Sequence, residues 1–193
     1  MAGVAHLCLD MQKLFAPEGP WPTPWMEKAL PNIARVAEAF GAATVFTRFI
    51  PAQHPDEEVG TWRGYYQHWS GLTLEQMDTR LLDLVPELAA LTPPAQVIAK
   101  RRFSAFSSPE LALLLNSSRI HTLVITGAET DMCVLSTVTD AVDRGYRVLL
   151  VEDAVCSSSD DGHDAALAIY RRRFGRQIET LTTAELLERV GHR

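Results

Sequence analysis

The chain is 193 residues long, 47% of its residues are hydrophobic, and its formal net charge is −6, from 18 basic and 24 acidic residues. This length and apolar fraction predict one globular domain spanning 1–193. The charges are spread along the chain, which excludes a broad basic face for nucleic acid, and no window reaches the roughly 20 apolar residues of a membrane helix. We therefore expect neither a nucleic-acid partner nor membrane association.

The amino terminus and the cysteines indicate the compartment. The first ten residues, MAGVAHLCLD, contain neither a basic segment nor a long apolar one, so a secretory signal is not expected. Three cysteines, Cys8, Cys133 and Cys156, form an odd set without a C-x-x-C pair, which disfavours a disulfide framework or a zinc knuckle. These features predict a cytoplasmic protein with reduced thiols.

Short apolar runs alternate with segments of helical period, a pattern typical of βαβ units and a parallel sheet. The predicted strands cover 4–9, 43–49, 96–100, 121–126, 147–152 and 177–180. The predicted helices cover 25–40, 109–116, 132–144, 161–174 and 184–190. The first five strands are nearly continuous hydrophobic runs, as expected for strands covered by helices on both faces.

Residues 50–94 interrupt this alternation with a long connection rich in proline and glycine. Connections of this length usually serve as lids or binding loops. The connection also concentrates aromatic residues in the stretch GTWRGYYQHWSG, which includes Trp62 and Tyr65. These rings line a substrate pocket or, alternatively, only pack the loop or a subunit interface.

Three chemically complementary residues follow or close predicted strands. Asp10 comes directly after the first strand, Lys100 closes the third, and Cys133 follows the fourth in the turn GAETDMC. Ligands of open parallel sheets bind beyond the carboxyl ends of the strands, so these residues are candidates for one site. Each has an ordinary alternative: a core cysteine, a turn-capping aspartate and a solvated lysine.

A cysteine in the first turn of a helix faces free backbone N–H groups, which favour the thiolate and predict a lowered pKa for Cys133. Asp10 would accept the thiol proton, and Lys100 would compensate the otherwise costly buried carboxylate. The backbone amides of the turn would form an oxyanion hole.

These residues resemble the isochorismatase-like cysteine hydrolase family, which includes nicotinamidases, N-carbamoylsarcosine amidohydrolases, ureidoacrylate and maleamate amidohydrolases, and isochorismatase. The resemblance extends through most of the chain, and it is carried by the segments LCLDMQKLF, KRRFSAF, TGAETDMCVLSTVTDAVDRGYRVLLVEDAVCSSSDDGHDAAL and FGRQIETLTTAELL. It implies a three-layer α/β/α fold with six parallel strands in the order 3-2-1-4-5-6. It also implies a homo-oligomer, either a dimer or a tetramer.

The resemblance further implies residue roles. Asp10 would be the general acid/base, Lys100 the catalytic cation and Cys133 the nucleophile. A cis peptide bond would join Ala128 and Glu129, and the amides of Glu129 and Cys133 would bind the oxyanion.

Substrate contacts are suggested for several residues around these groups. The resemblance points to Phe15, and Phe103 and Phe106 lie near Lys100; each of these rings is equally well explained by core packing. Arg48 and Arg63 fall near the predicted mouth, where a guanidinium would hold a substrate carboxylate, unless they are ordinary surface arginines.

The sequence departs from the nicotinamidases at their metal site. Those relatives carry an Asp-Trp-His motif after the second strand, whereas this chain has Phe49 and Pro51 at the Asp and His positions. His54 and His68 alone make a poor metal site, so no metal and no other cofactor is expected.

Together these features predict a metal-independent cysteine hydrolase that cleaves the C–N bond of a small amide, carbamoyl or ureido substrate through a thioester. One alternative is an isochorismatase-type vinyl ether hydrolase, which would need the aspartate rather than the thiol. Another is a non-catalytic relative that serves as a binding module.

Overall fold

The computed structural model describes residues 3–191 and contains a six-stranded parallel sheet in the order β3-β2-β1-β4-β5-β6. The strand order expected from the resemblance is therefore confirmed. The strands are β1 (Val4–Leu9), β2 (Thr44–Phe49), β3 (Gln96–Lys100), β4 (Thr122–Ala128), β5 (Arg147–Cys156) and β6 (Ile178–Leu181).

Seven α-helices accompany the sheet in the described part of the chain. They are α1 (Met26–Phe40), α2 (Thr61–His68), α3 (Pro86–Ala89), α4 (Pro109–Ser117), α5 (Leu135–Asp143), α6 (Asp160–Arg173) and α7 (Thr183–Gly191). Within residues 3–191 no helix is long and apolar enough to cross a membrane.

Two apolar clusters cover the two faces of the sheet and give the predicted three layers. One cluster contains buried side chains of α1, α2, α3 and α7, and the other contains those of α4, α5 and α6. The central strands β1 and β4 contribute to both clusters, and every residue of β4 is buried. This burial on both faces explains why the central strands read as continuous hydrophobic runs.

A close contact between β1 and β4 lies at the carboxyl ends of the strands. Leu9 pairs with Gly127 in register, and Gly127 has a φ of 109°. A Cβ atom at this position would lie 2.2 Å from the Leu9 carbonyl oxygen, so only glycine fits there. This close approach places the residues after β1 beside the turn after β4.

The connection between β2 and β3, which was expected to be a loop or lid, contains regular secondary structure. It contains α2, α3 and several short 3₁₀ turns, and it buries Tyr66 and Leu88 completely. The Gln12 amide donates to the carbonyls of Phe49 (3.1 Å) and Leu82 (2.9 Å), which ties the connection to the residues after β1. The connection is therefore fixed next to the carboxyl ends of β1 and β2.

Candidate active site

Three side chains from different strand ends meet at the carboxyl edge of the sheet. Asp10 follows β1, Lys100 is the last residue of β3, and Cys133 lies in the π-helical turn Thr130–Val134 that follows β4. The Lys100 Nζ atom lies 2.6 Å from Asp10 Oδ2 and 3.3 Å from Cys133 Sγ. One ammonium group thus contacts both a carboxylate and a thiol, the grouping expected from the sequence.

Asp10 is held by its neighbour on β2. The Thr47 hydroxyl donates to Asp10 Oδ1 at 2.7 Å and accepts from the Asp10 backbone N–H at 3.2 Å. The backbone of Asp10 has a φ of 50°, which is uncommon for a residue with a side chain. These contacts fix one carboxylate oxygen and leave the other facing Lys100.

Lys100 is almost completely buried, and its surroundings compensate its charge. Besides Asp10 and Cys133, its ammonium donates to the Arg102 carbonyl at 2.9 Å. It also lies 5.1 Å from the centre of the Phe49 ring, within the range of a cation–π contact. The ion pair with Asp10 raises the pKa of Lys100 in spite of its burial, so the ammonium stays charged.

The thiol of Cys133 does not have the lowered pKa that its position in a helical turn predicts. Burial is the largest influence and raises the pKa, Lys100 opposes it, and the Asp10 carboxylate raises the pKa further. The expected direction is wrong because the thiol is only 7% exposed and lies beside a carboxylate. In the resting site the sulfur therefore carries its proton and needs a base.

The turn before Cys133 is anchored to the segment that precedes α6. The peptide bond between Ala128 and Glu129 is cis. The Glu129 carboxylate accepts from the Ser158 backbone N–H at 2.9 Å, and the Asp131 carboxylate accepts from the Ser157 hydroxyl at 2.6 Å. These contacts hold the turn so that Glu129, Asp131 and Cys133 all face the same cavity.

That cavity has a volume of about 440 Å³ and opens beside Cys133. Aromatic rings form much of its wall, and the lining residues are Phe15, Trp21, Pro22, Phe49, Tyr65, Trp69, Phe103, Glu129, Asp131, Met132, Cys133 and Ser158. Its size is that of a small-molecule site. Phe15, Tyr65 and Phe103 were predicted from the sequence to contact substrate, and the structure places all three on this wall.

Four other residues that were predicted to contact substrate do not line this cavity, and two of them are arginines. Arg48 lines a separate cavity with Lys13 and Asp83, and the Arg63 side chain donates to the carbonyls of Glu58 and Asp56. The adjacent strand residue Thr47 faces Asp10, and side chains alternate along a strand, so Arg48 points to the opposite face.

Two aromatic predictions also require correction. Phe106 is buried in the core on the other face of the sheet, where its ring stacks on Tyr146 at 5.7 Å. Trp62 lies behind the cavity wall rather than on it, with its ring 5.0 Å from that of Phe103 and 4.6 Å from the Arg102 guanidinium carbon. Trp62 therefore supports Phe103 without being a lining residue.

Sequence reasoning missed wall residues such as Trp21 and Phe49, and it included Trp69 only as one ring of the aromatic stretch GTWRGYYQHWSG. Trp69 had a usable signal, since Tyr65 and Trp69 stand four positions apart and therefore share one side of a helix. Trp21 lies in an irregular proline-rich stretch that has no periodicity to interpret. It contacts Phe15, Tyr65 and Trp69 through ring distances of 6.0, 6.3 and 5.6 Å.

The residues around the site do not fit a metal ion of the nicotinamidase kind. Phe49, at the position where the resemblance to nicotinamidases implies a metal-binding carboxylate, instead has a ring that lines the cavity. His54 contacts Asp56, whereas His68 contacts Trp69. In the portion of the chain covered by the structure, no three His, Cys, Asp or Glu side chains are grouped closely enough to hold a metal.

The other two thiols are shielded in the core. Cys8 and Cys156 are both fully buried. Burial raises the pKa of Cys8 to about 12 and also raises that of Cys156. Cys133 is thus the described thiol that faces the cavity.

Comparison with known proteins gives a consistent assignment. A model of the Isochorismatase domain matches residues 4–182. The chain is 32% identical over 160 residues to the N-carbamoylsarcosine amidase of an Arthrobacter species, which covers 78% of this chain and 58% of that protein. It is 36% identical over 86 residues to the uncharacterized isochorismatase family protein PncA of Bacillus subtilis, which covers 45% of this chain and 47% of that protein. The chain thus spans about half the length of these two curated relatives.

The fold also matches solved structures. The crystal structure of a cysteine hydrolase from Pseudomonas syringae pv. phaseolicola superposes with a TM-score of 0.85 at 22% identity. The match covers 99% of this chain and 93% of that one. This similarity supports the same arrangement of strands and helices.

Proposed function

Because the chain belongs to the isochorismatase family of hydrolases, we propose that it is a cysteine hydrolase that cleaves the C–N bond of a small amide, carbamoyl or ureido substrate. The contact of one buried ammonium group with both Asp10 and Cys133, at 2.6 and 3.3 Å, carries this proposal. A carboxylate base, a cation and a thiol beside a cavity with aromatic walls are the groups that acyl transfer to sulfur requires.

The first half of the reaction forms a thioester. The Cys133 sulfur bonds to the substrate carbonyl carbon while its proton passes to the Asp10 carboxylate, and the carbonyl electron pair moves to the oxygen. The backbone N–H groups of Glu129 and Cys133 stabilise that oxyanion. When the intermediate collapses, the C–N bond breaks and Asp10 returns the proton to the leaving nitrogen, which departs as ammonia or an amine.

The second half regenerates the thiol. Water attacks the thioester carbonyl and gives a proton to Asp10, the C–S bond breaks, and the sulfur takes that proton back. Burial raises the pKa of Cys133 and the Asp10 carboxylate raises it further, so in this cycle the thiol passes its proton to Asp10 as the sulfur attacks the carbonyl. Asp10 acts as base and then acid in each half.

Lys100 supplies electrostatic stabilisation. Its ammonium pairs with the buried Asp10 carboxylate at 2.6 Å and lies 3.3 Å from the sulfur on which negative charge develops. No proton has to leave the ammonium for the cycle to close, since the proton moves only among sulfur, Asp10, water and the leaving nitrogen. The mechanism requires no metal ion.

An ammonia-release screen of carboxamides, carbamoyl amino acids and ureido acids tests the proposal. We expect turnover of at least one class, loss of that turnover in Cys133→Ala and in Asp10→Ala, and an acyl adduct on Cys133 detectable by mass spectrometry of quenched protein. Turnover that persists in Cys133→Ala but disappears in Asp10→Ala would instead assign vinyl ether-type chemistry. Absence of turnover with an unreactive Cys133 would assign a binding role.

A further inference from the structure

The cavity beside Cys133 carries negative charge and aromatic surface. Glu129 and Asp131 both line it, and neither Lys, Arg nor His occurs among its lining residues within the part of the chain described by the structure. The Lys100 ammonium lies below the cavity with its side chain 0% exposed, and it is already paired with Asp10. The surface that a substrate meets is therefore acidic rather than basic.

The arginines closest in sequence to the cavity wall are engaged elsewhere. Arg101 and Arg102 both pair with the buried Glu58 carboxylate, at 3.4 and 2.7 Å. Arg63 donates to the Glu58 carbonyl at 3.0 Å, and Arg48 lies at a separate cavity. The guanidinium groups of Arg63, Arg101 and Arg102 are thus held by other partners, and that of Arg48 lies outside the cavity.

The aromatic residues present ring faces and edges around the same space. Trp21 lies at the centre of this group, nearly parallel to Phe15 at 17° and edge-on to Trp69 at 83°. Burial raises the pKa of the Tyr65 phenol, and Tyr66, Cys133 and the Glu129 carboxylate nearby raise it further. Aromatic rings combined with carboxylates form the environment that binds ammonium and other organic cations.

From this wall, and resting on the proposed amide hydrolysis, we infer that the substrate is a small amide that carries a positive charge on its non-reacting part. An amide with a quaternary ammonium or protonated amine group would place the cation among the rings of Trp21, Tyr65 and Trp69, near the Glu129 carboxylate. An amide with a free carboxylate would meet the Glu129 carboxylate and no available cation, so it would be rejected. This excludes carbamoyl amino acids and ureido acids as good substrates.

Three primary amides of similar size test whether binding depends on the charge of the ligand or on its shape. In 4-(trimethylammonio)benzamide and 4-tert-butylbenzamide the substituents are isosteric and differ by one positive charge, while 4-carbamoylbenzoate is anionic. We expect Cys133→Ala to bind the cationic amide about tenfold more tightly than the tert-butyl amide in calorimetric titrations, with the carboxylate weakest. Equal or undetectable binding of the cationic amide, or tighter binding of the carboxylate, would overturn the inference.

A pair of charge-neutralising variants locates the preference. Glu129→Gln removes a carboxylate from the cavity wall but keeps the oxygen that accepts from Ser158. The control variant Glu38→Gln removes a carboxylate from the exposed side of α1. Glu38 lies near the carboxyl end of α1, which leads to the amino end of β2 and so lies away from the cavity. The preference is the dissociation constant of the tert-butyl amide divided by that of the cationic amide. This ratio should fall several-fold in Glu129→Gln and stay unchanged in Glu38→Gln. An equal fall in both variants would assign the preference to the net charge of the protein and overturn the inference.

Protection of Cys133 in the wild-type protein from iodoacetamide by the same three amides gives a second readout, which does not depend on how a variant folds. Binding is measured in Cys133→Ala without turnover, and protection of the wild type reports occupancy of the cavity whether or not the amide is hydrolysed. The charge preference can therefore fail while hydrolysis of other amides holds. Equally, hydrolysis can fail while the preference for cations holds.

Discussion

The Nζ atom of Lys100 lies 2.6 Å from Oδ2 of Asp10, and the two side chains are 0% and 1% exposed. Removal of one member of a buried pair leaves the other charge uncompensated, which destabilises a protein by about 3 to 5 kcal/mol. We expect Lys100→Met to lower the free energy of unfolding by this amount in urea titrations at neutral pH. The double variant Asp10→Asn/Lys100→Met should recover most of the loss, because no charge remains buried.

The double variant also serves as the control for lost packing. If Lys100→Met and the double variant are equally unstable, the ion pair makes no contribution and the lysine acts through its volume alone. All these variants should lack hydrolytic activity, because each removes a group that the proposed proton transfer requires.

Alkylation of the thiols tests the protonation state of Cys133. Because burial and Asp10 raise its pKa, we expect the iodoacetamide rate at Cys133 to keep rising through pH 9 rather than to level off near neutrality. Cys8 and Cys156 are fully buried and should remain unlabelled until urea unfolds the chain. A rate that is already constant below pH 7 would show a stable thiolate and would contradict the proposed role of Asp10 as base.

His6 makes the stability of the fold depend on pH. The ring is completely buried between the hydroxyls of Thr44 and Thr126, and burial lowers its pKa from 6.5 to about 3. The unfolded chain therefore binds the extra proton between these values, so the stabilisation is complete above pH 6.5 and is lost as the pH falls toward 3. One such group changes stability by about 1.4 kcal/mol per pH unit, or about 2 kcal/mol between pH 6.5 and pH 5.

Urea unfolding of wild type and His6→Gln between pH 5 and 7.5 measures this contribution. The variant should be less stable at pH 7.5 but should lose less stability on acidification. His68→Asn, which replaces an exposed histidine, controls for the removal of one imidazole. Parallel pH profiles for wild type and His6→Gln would refute the assignment.

Substitutions at Gly127 and Gly145 distinguish the stability cost of a steric clash from the stability cost of a strained backbone. Both have positive φ values, 109° and 86°, but a Cβ at Gly127 would lie 2.2 Å from the Leu9 carbonyl oxygen, while one at Gly145 would have no atom within 4 Å. We expect Gly145→Ala to cost about 1 to 2 kcal/mol and Gly127→Ala about 3 to 6 kcal/mol, because the second variant also forces β4 away from β1. Equal losses in thermal or urea unfolding would contradict the close approach.

The regular elements were largely predictable because their apolar residues follow the period of the secondary structure. The bounds of β1 and β3 agree with the sequence prediction, whereas β5 extends to Cys156, four residues beyond it. The predicted strand ended at Glu152, directly before the charged residue Asp153. In the folded chain the Asp153 carboxylate accepts from the backbone N–H and hydroxyl of Thr183, at 2.7 and 2.8 Å. Such a partner, 30 residues away, is invisible to local patterns.

Helix α2 was missed for a related reason. Gly64 lies within it and glycines precede and follow it, so its intrinsic helix propensity is low. Its stability comes from tertiary contacts, above all the completely buried Tyr66. The grouping of Asp10, Lys100 and Cys133 was predictable, because strand ends in a parallel sheet converge. The cavity wall was only partly predictable, because it depends on the path of irregular segments.

Because α2 lies in the connection between β2 and β3, the wall of the cavity can change during evolution while the sheet stays the same. Asp10, Lys100 and Cys133 belong to the sheet and its immediate ends, whereas Tyr65 and Trp69 belong to an excursion that leaves β2 and returns at β3. Insertions, deletions and ring substitutions in that excursion can reshape the mouth of the cavity without moving the reacting groups. The part of the ligand preference that depends on Tyr65 and Trp69 is thus inherited on a separate stretch of the gene, whereas Glu129 is inherited together with Cys133.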